Sequence, residues 1–215
     1  MTLPKPYYQD DYCTIYYADC REILPFLNPV DLVLTDPPYG INAGDQKQQK
    51  SRGKLANATD YGVNDWDKKP TPQWLLDQII EKAKYSVIWG GNYYRMNPCK
   101  GPLIQDKQNT GDFADGELAW NNYGSGLRIK QHMWNGMIRK NNEPRFHITQ
   151  KPVDVMTWAI SLCPVKPVIV LDPFMGSGTT LVACKTLAIK SIGIEQTERD
   201  CKIAAQRLCQ EVLEL

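Results

Sequence analysis

Two short motifs hold the residue types that can do chemistry. Thr35-Asp36-Pro37-Pro38-Tyr39-Gly40 comes early, and Leu171-Asp172-Pro173-Phe174-Met175-Gly176-Ser177-Gly178-Thr179-Thr180 comes late. Each follows an apolar run that reads as a buried strand. In the first motif, Asp36 and the Pro37 carbonyl can accept two N–H bonds from a single amino group. Pro37 and Pro38 lock φ and remove backbone donors, which stiffens the loop and aims its carbonyls. An exocyclic amine on adenine or cytosine is a poor nucleophile, because its lone pair is delocalised into the ring. Holding both N–H groups localises that pair toward an electrophile such as a sulfonium methyl. The Asp36 charge offsets the positive charge that develops on nitrogen. Tyr39 offers a flat face for a base extruded from its stack. What remains is to place nitrogen, methyl carbon and sulfur nearly in line, with no metal and no covalent nucleophile. Taken alone, Asp-Pro-Pro-Tyr is also an ordinary turn after a strand.

The second motif suits a nucleoside ligand. Its strand delivers Asp172 and Pro173 to a sheet edge. Gly176 and Gly178 let the backbone turn tightly with no Cβ in the way, and the helix that follows offers free N–H groups at its start. A phosphate-binding loop needs Gly-Lys-Ser/Thr after the glycines. Here Thr179 and Thr180 follow Gly178, which argues against ATP or GTP. The next strand ends at Glu195, 17 residues beyond Gly178. An acidic residue at that strand tip is the expected partner of ribose hydroxyls.

The elements that must position these motifs alternate in type. Strands are expected at residues 14–18, 31–35, 86–89, around Leu103, and at 117–120, 168–171 and 191–194. Helices are expected at 21–27, 73–85 (Thr71 as N-cap and Pro72 at the first helical position), 152–162, 179–187 and 198–213. Residues 41–69 read as a long polar loop of the functional kind. Alternating strands and helices imply an α/β fold, a mostly parallel sheet covered on both faces. Ligands then bind beyond the carboxyl ends of the strands, where both motifs sit.

At 215 residues the chain is one ordinary domain with room for an insertion. Its 25 basic and 24 acidic residues nearly cancel, so net charge does not announce a polyanion partner. The distribution says more. Residues 121–151 carry Arg128, Lys130, Arg139, Lys140, Arg145 and Lys151 against Glu143 alone, and residues 45–54 carry Lys47, Lys50, Arg52 and Lys54 against Asp45. These are candidate phosphate contacts or, equally, solvated loops. Trp134 and Phe146, interleaved in the first stretch, read equally as core. The seven cysteines form no C-x-x-C pair and read as reduced residues, mostly in the core. With only His132 and His147, no zinc constellation is visible. No apolar stretch approaches the roughly 18 residues of a membrane span, and the start is not a targeting segment. A cytoplasmic protein is expected.

The second motif is similar to the S-adenosylmethionine-binding motif of DNA amino-methyltransferases, and Asp-Pro-Pro-Tyr resembles their catalytic motif. Catalytic motif first and cofactor motif last looks like the β class of that family. Ala18-Asp19-Cys20 sits where the family carries an Asp that contacts the cofactor adenine. His147-Ile148-Thr149-Gln150-Lys151-Pro152 resembles a segment beside the methionine end of the cofactor. Residues 87–94 resemble the strand after the catalytic one. The likeness runs from about residue 12 to 210. Two departures are small: Ile148 replaces a proline, and Gln105 stands where Trp is common before Asp106-Lys107. Pro98-Cys99 matches the nucleophile dipeptide of cytosine C5 enzymes, but it lies in a turn on the wrong side of the cofactor motif.

The resemblance implies a Rossmann-like class I methyltransferase, a seven-stranded sheet with circularly permuted motif order, in one domain. It implies a catalytic half at about 10–100, a target-recognition insertion at about 100–147 and a cofactor half at about 148–215. It implies catalytic Asp36, Pro37, Pro38 and Tyr39. The cofactor residues it implies are Asp19, Cys20, Asp36, Lys151, Asp172, Pro173, Phe174, Gly176, Ser177, Gly178, Thr179 and Glu195. The expected reaction is methylation of adenine N6 in DNA, since Asp at the first catalytic position leans toward adenine in this family. Cytosine N4, an RNA base and a silent DNA-binding relative are the alternatives. Such small enzymes look like solitary or phage-borne methyltransferases. The short insertion implies a short target site, or a homodimer in which a second subunit helps.

Overall fold

A computed structural model of the chain describes residues 2–42, 67–108, 114–134, 146 and 150–210. Its elements in chain order are β1 (Tyr8–Gln9), β2 (Cys13–Tyr17), α1 (Cys20–Ile23), β3 (Val30–Thr35), α2 (Gln73–Glu81), β4 (Ala83–Trp89), β5 (Leu103–Asp106), β6 (Gly116–Asn121) and β7 (Arg128–Gln131), then α3 (Val153–Ser161), β8 (Ile169–Asp172), α4 (Thr179–Thr186), β9 (Lys190–Glu195) and α5 (Glu198–Gln210). The strands form one sheet in the order β1-β2-β9-β8-β3-β4-β6-β5-β7. From β2 to β4 every pairing is parallel. Beyond β4 the sheet continues antiparallel through β6 and β5, and β7 closes it parallel to β5.

Among the described residues the sheet has nine strands, where seven were expected. The additions are its two edges, β1 and β7. Two residues carry no readable period, and Arg128–Gln131 is charged and mostly exposed, so it reads as a basic loop. Pairing with β5 makes it a strand. β5, β6 and β7 thus extend the common sheet.

Core placement follows the alternation of strand side chains. On β3, Val33 faces one layer with Leu75, Leu76 and Ile79 of α2 and Ile88 of β4. Leu32 and Leu34 face the other, with Val87 and Trp89 of β4, Val155, Met156 and Ala159 of α3 and Ala183 of α4. A central strand buried on both faces is what an all-apolar run encodes in a parallel sheet. Each such Leu, Ile or Val contributes about 1.5–3 kcal/mol by leaving water. A third cluster seats α4 and α5 on β2 through Cys13, Ile15, Leu181, Val182, Ala204 and Leu208.

The helix expected at 73–85 ends at Glu81, because residues 83–85 enter β4, where Ala83 pairs with Val30 and Tyr85 with Leu32. Thr71 does not cap it. Pro72 holds the N-cap position, and the Thr71 N–H donates to the Pro38 carbonyl at 3.0 Å. All seven cysteines are free thiols, with Cys13, Cys20, Cys184 and Cys201 buried. Among the described residues, no helix is long and apolar enough to cross a membrane.

Candidate active site

Neighbouring parallel strands bring the two motifs together. β3 and β8 pair through Leu32 with Val170 and Val33 with Leu171, so both carboxyl ends open on one sheet edge. The Thr35 hydroxyl donates to Asp172 Oδ1 at 2.7 Å across 137 residues of sequence. The Thr180 hydroxyl donates to the other Asp172 oxygen, and the Phe174 N–H to Oδ1 at 3.1 Å. Burial pushes the Asp172 carboxyl up to about 6, against these donors.

Asp36 sits at the centre of a chain of charges. The Tyr39 hydroxyl donates to its Oδ1. Lys151 Nζ lies 2.5 Å from its Oδ2 and 2.6 Å from Glu117 Oε2, and the Lys107 ammonium pairs with the remaining Glu117 oxygen. Lys151 is only 7% exposed, with Nζ 5.4 Å from the centroid of the Trp89 ring. Burial raises the Asp36 pKa while Lys151 pulls it back. Burial opposes ionisation of Glu117 too, yet Lys151 and Lys107 hold it down at about 2. Burial also works to discharge Lys151, but Asp36 and Glu117 outweigh it and keep its pKa above the usual value. A buried ion cluster of this kind survives only when every charge is paired.

Tyr39 stacks on Tyr93 with ring centroids 4.6 Å apart and planes 14° from parallel. One of its faces is therefore already covered, and Tyr93, 49% exposed, presents the pair to the surface. The Pro38 carbonyl accepts from the Tyr94 hydroxyl as well as from the Thr71 N–H.

The 176–178 turn is held by backbone bonds. The Gly178 N–H donates to the Met175 carbonyl at 2.8 Å. Gly178, at φ +79°, starts α4, and a Cβ there would come 2.7 Å from the Cβ of Ala204. Gly176 is also left-handed, at φ +48°, but a Cβ on it would meet nothing within 4 Å. Its backbone faces open space, and its N–H donates to Glu195 Oε2 at 3.1 Å. The Thr197 N–H donates to Glu195 Oε1 at 2.8 Å. Burial pushes this carboxyl up to about 7. The Ser177 and Thr179 hydroxyls turn inward to Arg207, whose Nη1 lies 3.3 and 3.2 Å away and also donates to the Ser177 carbonyl at 2.8 Å.

Asp19 reaches the same edge from the end of β2, where Tyr17 pairs with Glu195. Its carboxylate accepts from the Arg21 N–H at 2.9 Å, pairs with the Arg21 guanidinium and so caps α1. The Cys20 side chain points into the core, and burial pushes its thiol up to about 12.

One edge thus gathers Asp19, residues 36–39, Lys151, residues 172–179 and Glu195. The candidate phosphate contacts Lys47, Lys50, Arg52, Lys54, Arg139, Lys140 and Arg145 lie outside the described residues, as do His147 and Thr149. Arg128 and Lys130 belong to the edge strand β7, three strands beyond β4. Trp134 is core, 6% exposed, with its indole N–H donating to the Gln150 carbonyl at 3.0 Å. Phe146 lies under Arg207, 5.2 Å from its guanidinium carbon. Cys99 packs half-buried against the first core layer. Sequence reasoning missed Glu117 and Lys107. No sequence signal marked them: β6 is buried on both faces at Ala119, Trp120 and Asn121, and in the sequence Glu117 alternates with the apolar Leu118 and Trp120, as an outward-facing charge would.

The sequence pattern of the DNA methylase family, which spans N6 and N4 enzymes, matches residues 46–206. A putative methylase of Escherichia coli, YubD, is 42% identical over 215 aligned residues, covering 89% of this chain and 88% of that protein. The type II methyltransferase M2.LlaDCHI of Lactococcus lactis is 25% identical, over 96% of this chain and 93% of its own length. The structure of the cytosine-N4-specific PvuII DNA methyltransferase superposes with a TM-score of 0.62 at 15% identity, over 94% and 88% of the two chains, and shares the fold. With its two motifs joined at the carboxyl ends of β3 and β8, this chain belongs to the DNA methylase family, the S-adenosylmethionine-dependent DNA amino-methyltransferases.

Proposed function

We propose that the protein methylates the N6 amino group of adenine in DNA, holding the amine of a flipped base at Asp36. The observation that carries this reading is the Thr35–Asp172 hydrogen bond. It ties the loop that can hold an amine to the turn that can hold a nucleoside cofactor.

The residues present fit S-adenosylmethionine. The open space over Gly176 is where a ligand can approach backbone with no Cβ between. Glu195 and Asp19, acceptors at adjacent strand tips, suit ribose hydroxyls and an adenine amine. Phe174, half-buried beside them, suits the face of the adenine ring. Bound there, the cofactor supplies an electrophilic methyl on a sulfonium. Asp36 and the Pro37 carbonyl accept the two N–H groups of the target amine, the Pro38 carbonyl being already engaged. Asp36 offsets the charge that develops on nitrogen and can take the proton it sheds. The Tyr39–Tyr93 stack gives the extruded base an aromatic surface, and Arg128 and Lys130 remain candidates for phosphate contact.

Adenine is favoured because Asp holds the first catalytic position, as the family preference has it. Cytosine N4 is the second reading, favoured by the fold shared with an N4-specific enzyme. Tritiated S-adenosylmethionine, unmethylated genomic DNA and mass spectrometry of the digested nucleosides decide between them. N6-methyladenine supports the proposal, N4-methylcytosine replaces the base, and no methylated nucleoside overturns it.

A further inference from the structure

Both oxygens of Asp36 are taken, Oδ1 by the Tyr39 hydroxyl and Oδ2 by the Lys151 ammonium. Each oxygen keeps a second lone pair, but an amine that comes to Oδ2 brings its N–H groups against an ammonium 2.5 Å from that oxygen, so Lys151 has to draw back to admit it. Displacing Lys151 into a buried site with no anion would leave its charge uncompensated, which strongly disfavours the exchange. Glu117 removes that obstacle. Its Oε2 is already 2.6 Å from Lys151 Nζ, almost as close as Asp36 at 2.5 Å. Lys107 holds the other Glu117 oxygen. These four charges come from the loop after β3, the ends of β5 and β6, and the segment before α3. Two cations and two anions balance before the exchange and after it.

We propose that Glu117 is a positioning residue for methyl transfer: it keeps the Lys151 ammonium when the target amine takes its place at Asp36, and Lys107 holds Glu117 for that exchange. This inference rests on the reading of Asp36 as the acceptor of the amine. No covalent bond changes and no proton moves in the exchange, only the distance of one ammonium from two carboxylates.

Among the described residues, three further groups act on Asp36. Tyr39 faces it from its own loop, the Tyr94 hydroxyl from the segment after β4, and Asp172 from the end of β8. None of them changes in the variants below.

The test reads Asp36 directly. Its carboxyl carbon is followed by NMR in protein carrying 13C-labelled aspartate, with the signal assigned by its loss in Asp36→Asn. Glu117→Gln removes an anion, so the Asp36 titration should move down by about one pH unit. Lys107→Met removes a cation and should move it up. Lys107→Arg should restore the original curve. Alongside, Glu117→Gln should lower kcat for DNA methylation about tenfold or more with little change in KM, because Lys151 then has no second anion to keep it off Asp36. Shifts of opposite sign would show that both charges act on Asp36, and a fall in kcat at constant KM is what a merely structural role would not produce. If Glu117→Gln fails to fold, the two Lys107 variants carry the test. Titrations unmoved in the variants, shifts of one sign, or an unchanged kcat in Glu117→Gln overturn this inference alone. An unmodified chain that transfers no methyl to DNA overturns the proposed function along with it.

Discussion

The glycine turn after β8 and the carboxylate loop after β3 meet at one sheet edge, yet they are built by opposite means. The turn is held by groups near it in sequence, the Arg207 guanidinium among them, 30 residues from Ser177. Backbone N–H bonds close it, and its Glu195 partner lies 19 residues from Gly176. The loop is held by charge from a distance: Lys151 lies 115 residues from Asp36, and Lys107 and Glu117 come from other strands. Geometry limits the first region and charge balance limits the second. A cofactor turn tolerates changes that keep its backbone, whereas the amine site is sensitive to any change in the sum of its charges.

Four outcomes would break or sharpen that contrast. The largest is expected at Asp36→Ala. Loss of the group that meets the developing charge should cut methyl transfer by about 10²–10³-fold or more. The dissociation constant for S-adenosylmethionine, measured by calorimetry, should stay within about threefold, because the turn is a separate construction. Retained turnover would remove Asp36 from its role, and lost cofactor binding would erase the distinction between the two regions.

Next is Gly176→Ala. The left-handed backbone costs a residue with a Cβ about 1–2 kcal/mol, but no neighbour opposes the methyl. The chain should therefore fold, while cofactor affinity falls about tenfold or more. Unchanged affinity would mean that the open face of Gly176 is not where the ligand lies.

The third concerns pH. Asp172, at about 6, and Glu195, at about 7, both sit above the values of an unfolded chain. The native state therefore holds protons that the unfolded state releases. These two groups remove stability progressively as pH rises from about 4 to 7, and the removal is complete above 7. Glu117 has the opposite sign: held at about 2, it contributes stability above about 4 that is lost as pH falls through its folded value. Glu195→Gln should flatten the change in urea midpoint between pH 5 and pH 7.5. It should also abolish a rise in cofactor affinity through pH 7, since only the carboxylate is a full acceptor. A wild-type affinity that does not change across this range would take Glu195 away from the ribose.

The smallest effect is expected at Tyr93→Ala. Stacking on an aromatic ring is worth about 1 kcal/mol or more per base, so KM for DNA should rise about fivefold with kcat nearly unchanged. An unaltered KM would place the base elsewhere than on the Tyr39–Tyr93 pair.

Each of the seven expected strands is present, within a few residues of its expected bounds. Apolar runs such as Leu32-Val33-Leu34 have only one good burial, in the middle of a parallel sheet. Turn residues were equally legible, because Gly176 and Gly178 do what only glycine does well. Errors fell where local preference met a distant partner. The end of α2 gave way to the β3–β4 ladder, Thr71 went to Pro38 rather than to its helix, and Arg128–Gln131 became a strand by pairing with β5.

The same division runs through the site. From the sequence alone came the fold class, the order of the two motifs, the carboxylate at Asp36 and the glycine turn, since each rests on contacts within about 20 residues or on a periodic apolar pattern. Only the tertiary structure decided that Lys151 serves Asp36 and Glu117 together, that Lys107 steadies Glu117, and that Tyr39 enters the site already stacked. Those pairings join residues with no fixed spacing in the chain. A buried charge declares its need for a partner but not which one, and the sheet register makes that choice.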